Sequence, residues 1–205
     1  EGRRAKRRVL VARASAIDRS RLGAADRVHH ALLLEQLEAA IAAEVCDFEQ
    51  WTVDPRDNPV TRFNHLPEVH RVETVDDAGR LISRYRAIAG SIDAQIALLE
   101  EGAGRGLFGT AESARRVLDM VRKQLAQPLG DWPLLGPARA EHPDLPADQL
   151  TDYRQELRRI VEGAIQPALE RYGRFIETRL LPSSRGEDDS GLSTLPDGEA
   201  CYRAR

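Results

Sequence analysis

Residues 104–121 read GRGLFGTAESARRVLDMV and place Gly104, Gly106 and Gly109 in the order G-x-G-x-x-G. That spacing is shared with dinucleotide-binding loops, so its reading decides the fold class. The dinucleotide fingerprint works where a buried strand ends in a tight turn that aims a helix N-terminus at a pyrophosphate. It also needs an acidic residue about 20 positions further on. Here the preceding segment, SIDAQIALLEE at 91–101, has the three-and-four spacing of a helix, and no strand-like run follows. The glycines therefore read as the corner of a helical hairpin. Gly102 or Gly104 is expected to take the left-handed conformation that ends the first helix, and Thr110 to cap the second.

Working outward, the second helix of that hairpin spans about 111–126, with Val117, Leu118, Val121 and Leu125 facing inward. The first begins at Thr74, whose hydroxyl can cap the opening turn while Asp76 and Asp77 suit the positive end of the helix dipole. Its inward stripe is Leu81, Tyr85, Ile88, Ile92, Ile96 and Leu99. A further long helix is predicted over about 147–181, with Leu150, Tyr153, Leu157, Ile160, Ala164, Leu169, Tyr172, Ile176 and Leu180 on one face. Pro167 lies inside it, so an interruption near 163–166 is expected. Towards the N-terminus, Val28, Ala31, Leu34, Leu37, Ile41, Val45 and Phe48 form a stripe over 24–48 that is expected to be buried, preceded by a short helix over 5–14.

Two proline-rich connections separate these helices. Residues 49–73 contain Pro55, Pro59 and Pro67 and are expected to pack over the helices through Trp51, Phe63 and Leu66. Residues 127–149 contain five prolines together with Trp132, Leu134 and Leu135, too apolar for a free linker. With no run of alternating residues long enough for a central strand, the predicted class is all-α: long antiparallel helices and helical hairpins joined by proline-rich loops, as part of a larger helical protein. Residues 1–182 read as a helical domain and 183–205 as a polar linker entering an element cut off at the C-terminus.

Composition narrows the function classes. The chain is 41% hydrophobic and 31% charged with a formal net charge of −3, ordinary for a globular protein and no overall attraction for nucleic acid or an anionic membrane. Only Lys6 and Lys123 are lysines among 30 basic residues, a bias consistent with a GC-rich bacterial gene. No apolar run reaches the 18 or so residues of a membrane span. The opening EGRRAKRRVLVARASA lacks the apolar middle of a signal peptide, although the chain starts at Glu1 and a signal could lie upstream. Cys46 and Cys201 are far apart and form no C-x-x-C pair, so no disulfide is indicated and a reducing, cytoplasmic location is expected, or a secreted or periplasmic one if an upstream signal was removed.

No catalytic constellation emerges. His29 and His30 are adjacent and diverge on a helix. His65 and His70 sit in a proline-rich connection without a third ligand, and His142 lies in the other such loop. Arg3, Arg4, Arg7, Arg8 and Arg13 make the N-terminus basic but lack interleaved aromatics, so a solvated helix face is the expected reading. No metal, cofactor-binding or catalytic residue is assigned to the chain.

The segments QPLGDWPLLGPA, AIQPALERYGRFIETRLLPSSRG and GLSTLPDGEACYRA, with TVDDAGRLISRYRAI and EEGAGRGLFGT before them, resemble a bacterial family catalogued as domain of unknown function eight-eight-five. The resemblance covers most of residues 15–205. It implies an architecture similar to helical zinc metallopeptidases, whose His-Glu-containing zinc motif lies in the C-terminal half. This sequence contains no His-Glu pair. The resemblance thus implies an N-terminal portion that is not catalytic alone, with zinc held elsewhere. Expected partners are the C-terminal portion or a second copy, with a peptide as substrate and neither nucleic acid nor membrane. It further implies that Trp132, Leu134 and Tyr202 belong to the wall of a substrate channel. The alternative is a free-standing helical interaction module without enzymatic activity.

Overall fold

The structure is a computed structural model describing residues 2–205, with the side chains of 2 and 4–205. Its helices are α1 (Gly2–Ser15), α2 (Ala24–Ala42), α3 (Pro59–Asn64), α4 (Leu66–Val69), α5 (Val75–Gly104), α6 (Ala111–Ala126), α7 (Gly136–Arg139), α8 (Ala147–Ile160), α9 (Gln166–Phe175) and α10 (Gly198–Arg203). The only β-type pairings among the described residues are two isolated bridges, so the fold is all-α. The chain divides into two compact units: Glu1–Phe48 with Gly191–Arg205, and Glu49–Ser190.

The larger unit is organised by α5, α6 and the α8–α9 span. Thr74 caps α5 as its spacing predicts: its hydroxyl accepts from the Asp77 N–H at 3.2 Å, and the Asp77 carboxylate accepts from the Thr74 N–H at 3.0 Å. Leu81, Tyr85, Ile88, Ile92 and Leu99 are all buried, with Ile96 half-buried. They meet Val117, Leu118 and Val121 of α6 and Leu157, Ile160, Leu169 and Tyr172 of α8 and α9 in one core. Burying each such aliphatic side chain is worth about 1.5–3 kcal/mol against leaving it in water. Around the rim, Arg86 pairs with Glu156, Arg171 with Asp93 and Arg179 with Glu100, fixing the register of α5 against the α8–α9 span. Exposed pairs like these contribute only about 0–1 kcal/mol each.

Between α8 and α9 the helix continues through a π turn, Val161–Ile165, and a second π turn follows at Ile176–Leu180. Pro167 has no N–H to give the carbonyl of Gly163. The backbone widens instead, and the Gln166 N–H donates to Val161, five residues back. The expected interruption is thus a wide turn that keeps the span continuous.

At the glycine corner the expected position of the left-handed residue is corrected. Gly106, not Gly102 or Gly104, carries the positive φ of 78°. The Leu107 N–H donates to the Gly102 carbonyl at 2.9 Å and the Gly106 N–H to Ala103 at 3.2 Å, the paired bonds of a Schellman turn. Gly102 is needed for another reason: a Cβ there would run into the Gln50 carbonyl. Thr110 then caps α6, accepting from the Ser113 N–H at 3.4 Å. The connection at 49–73, expected to be irregular, contains α3 and α4. Asn58, fully buried, caps α3 by accepting from the Val60 and Thr61 N–H groups at 3.0 and 3.3 Å.

In the smaller unit α1 and α2 form a hairpin through the turn Arg19–Arg21. His30, 7% exposed, places Nε2 2.8 Å from the Ala14 carbonyl. The basic face of α1 is answered within the unit: Arg4 pairs with Asp47, and Arg7 and Arg8 both reach Glu44. Two expectations fail here. Cys46 and Cys201 are joined in a disulfide, with Cα atoms 4.8 Å apart, which overturns the reading of unpaired cysteines. The 24–48 stripe is also only partly buried: Leu34, Leu37, Ile41 and Phe48 are half-buried, but Val28 is 66% and Val45 38% exposed, and the α-helix stops at Ala42. The reason is supply. Within the unit α2 packs chiefly on α1, and α10 meets the turn Ala43–Cys46 that follows α2, so among the described residues one side of the helix has no surface to cover it.

Candidate functional site

One depression in the larger unit lies where the two proline-rich connections meet. The proline at the start of α4 and those at 133 and 137 hold both segments in short, rigid pieces. Between them runs a groove of about 560 Å³. One wall is Glu68, His70, Arg71 and Glu73; the other is Arg139, Glu141 and His142.

His142 joins the two walls. Its ring is 9% exposed, with Nε2 2.8 Å from the Pro137 carbonyl and Nδ1 3.2 Å from that of Val72. A neutral imidazole has one N–H and donates to one of these carbonyls at a time. The ring edge stands perpendicular to Tyr153, centroids 5.5 Å apart. His70 is likewise committed, its Nε2 3.0 Å from the Asp77 carbonyl. Arg139 donates to the Gly130 and Trp132 carbonyls, and Arg154 to Ala140 at 3.0 Å, so the second wall is held by side-chain donors on backbone oxygens.

On either side of Pro133, which lines the groove, Trp132 and Leu134 are each 1% exposed. The Tyr85 hydroxyl donates to the Leu134 carbonyl at 2.7 Å, and the Trp132 indole N–H to Gln127 at 3.3 Å. Burial pushes the phenols of Tyr85, Tyr153 and Tyr172 well above their usual range, which keeps them neutral; Tyr85 donates to Leu134, while the buried hydroxyls of Tyr153 and Tyr172 meet no hydrogen-bond partner among the described residues. Trp132 and Leu134 are therefore adjacent members of the interior, whereas Tyr202, 74% exposed, stands on α10 of the smaller unit.

A second polar knot holds the glycine corner. The Arg185 N–H donates to Gly109 at 3.0 Å, its carbonyl accepts from Ala111 at 2.9 Å, and its Nε donates to Phe108 at 2.8 Å. Its guanidinium sits 5.8 Å from the Trp51 ring centroid. Burial lowers its pKa, an effect opposed by Asp189. Sequence reading missed both Arg185 and the groove.

The residues present do not fit a zinc ion. Four of the five histidines are engaged within the chain: His30 with Ala14, His65 with Glu68, His70 with Asp77 and His142 with two carbonyls. Among the described residues no three His, Cys, Asp or Glu side chains converge on one point. The groove presents charges of both signs.

The family model described as "Bacterial protein of unknown function (DUF885)" matches residues 1–205, and the chain belongs to that family. No curated protein and no solved structure matches the chain. No helix among the described residues is long and apolar enough to cross a membrane.

Proposed function

We propose that this chain is the N-terminal helical region of a zinc metallopeptidase-like bacterial protein, a scaffold that forms one wall of its substrate channel and is not catalytic alone. The observation that carries the reading is the support of the groove's Pro133, whose neighbours Trp132 and Leu134 are buried and locked by bonds to Gln127 and from Tyr85. Such support serves a channel by holding its wall stiff, with Trp132 and Leu134 as supports and the groove residues as the surface a peptide meets. Tyr202 is the exposed aromatic that the same reading assigns to peptide contact. Zinc, in this reading, is bound outside these residues. Bound there, it would polarise a peptide carbonyl and activate a water.

The test compares residues 1–205 with the product of the natural gene on a quenched-fluorescence peptide library, with metal content measured on both. Hydrolysis and stoichiometric zinc only in the gene product support the reading. Hydrolysis by residues 1–205 alone, or a gene product without metal and without activity, rejects it. The second outcome favours the other reading, a helical interaction module, for which the mixed charge of Glu68, Arg71, Glu73 and Glu141 around the groove speaks.

The disulfide supports a further part of the proposal: folding in an oxidising compartment, outside the cytoplasm. Alkylation of thiols in freshly lysed cells separates the cases, since a cytoplasmic pool would carry Cys46 and Cys201 reduced.

A further inference from the structure

The exposed face of α2 is charged in a self-complementary way. Along it Val28 and Leu32 are 66% and 49% exposed, and His30 is the helix's only buried residue. Two shallow depressions of about 370 and 550 Å³ run over this face, both lined by Arg19, Ala31 and Glu35. Arg27 lies toward the N-terminal end of the face and Glu35 and Glu38 toward the other. Among the described residues none of the three has an ion-pair partner within the chain, whereas Arg4, Arg7 and Arg8 of α1 are each paired with an acidic side chain of the same unit.

Arg27 and Glu35 are eight residues apart, roughly 12 Å along the axis at 1.5 Å per residue. Ala31 lies midway between them. A two-fold axis at Ala31 sets two copies of α2 antiparallel and brings Arg27 of each onto Glu35 of the other. The smallest side chain then sits at the crossing, with Val28 and Leu32 on either side of it. We propose that this face is an isologous dimer interface whose occupant is a second copy of the chain. The charge pattern selects this occupant, because one interface forms the same pair twice while a parallel pairing would set like charges against each other. The inference is independent of the peptidase-like reading.

Sedimentation velocity of the whole chain over a wide concentration range is the test. The wild type dimerises, and Arg27→Glu or Glu35→Arg alone weakens the dimer by at least about tenfold in Kd, because each sets like charges face to face. The double exchange restores it, and mixing the two single variants yields a heterodimer. Circular dichroism of each variant checks that the helices are intact. A wild type that stays monomeric, a dimer indifferent to both single substitutions, or a double exchange that fails to recover dimerisation overturns the proposal.

Discussion

The Tyr85 hydroxyl donates to the Leu134 carbonyl at 2.7 Å across an interior from which both residues are all but excluded from solvent. The bond ties the middle of α5 to a proline-rich loop 49 positions away in sequence. Tyr85→Phe keeps the ring and removes the donor, leaving that carbonyl buried without it. Denaturant unfolding should show a loss of about 1–3 kcal/mol. An unchanged midpoint would mean that the loop is held by packing alone.

The three glycines of the corner should respond differently to alanine. At Gly102 the new methyl meets the Gln50 backbone, so a loss of about 1–3 kcal/mol is expected. At Gly106 the positive φ makes alanine unfavourable by about 1–2 kcal/mol. Gly104→Ala meets nothing and lies at the end of a helix, so it should be neutral or stabilising by up to about 1 kcal/mol. Equal effects at all three positions in thermal melts would contradict the Schellman geometry.

Glu156 is drawn down to about 2 by hydrogen bonds from Arg159 and then Arg86, against an ordinary value of 4.5. A carboxyl depressed in the folded state stabilises above its unfolded value and loses that contribution as pH falls through its folded one. Glu156→Gln should therefore lower stability at neutral pH, with the difference from wild type shrinking between about pH 4.5 and 2. Melting curves of both proteins across that window check it. A difference that persists unchanged at the acid end would point to lost packing.

Cutting the Cys46–Cys201 link with a reductant, or by replacing both cysteines with serine, should destabilise the smaller unit by about 2–5 kcal/mol. Hydrogen exchange read separately over residues 2–48 and 60–180 gives the check, because protection should fall in the first range and hold in the second. Uniform loss across both would assign the disulfide a wider role.

Much of the larger unit was legible because its helices announce themselves twice, by period and by caps. Thr74 with Asp77, and Thr110 before a stripe of Val117 and Val121, specify start and face together. Period alone says which residues share a face, and burial needs a partner surface. That is why Tyr85 and Ile92 proved buried while Val28, on an equally regular stripe, did not. Gly102 and Gly106 have the same side chain but different duties, one steric and one conformational, and only the neighbouring Gln50 backbone separates them. The groove was not legible, since His142 contacts Val72 from 70 positions away and no local pattern records such a meeting. The cysteine pair, separated by 155 positions, was hidden in the same way.

The smaller unit is assembled from both ends of this sequence, with the whole of Glu49–Ser190 lying between its parts. On a ribosome adding about 5–20 residues per second, Cys201 follows Cys46 by roughly 8–30 seconds. Throughout that interval α1 and α2 exist without α10, and the thiol of Cys46 has no native mate. Within this sequence the helices made earlier thus belong to the unit completed later, and one cysteine must stay chemically idle until residue 201 arrives.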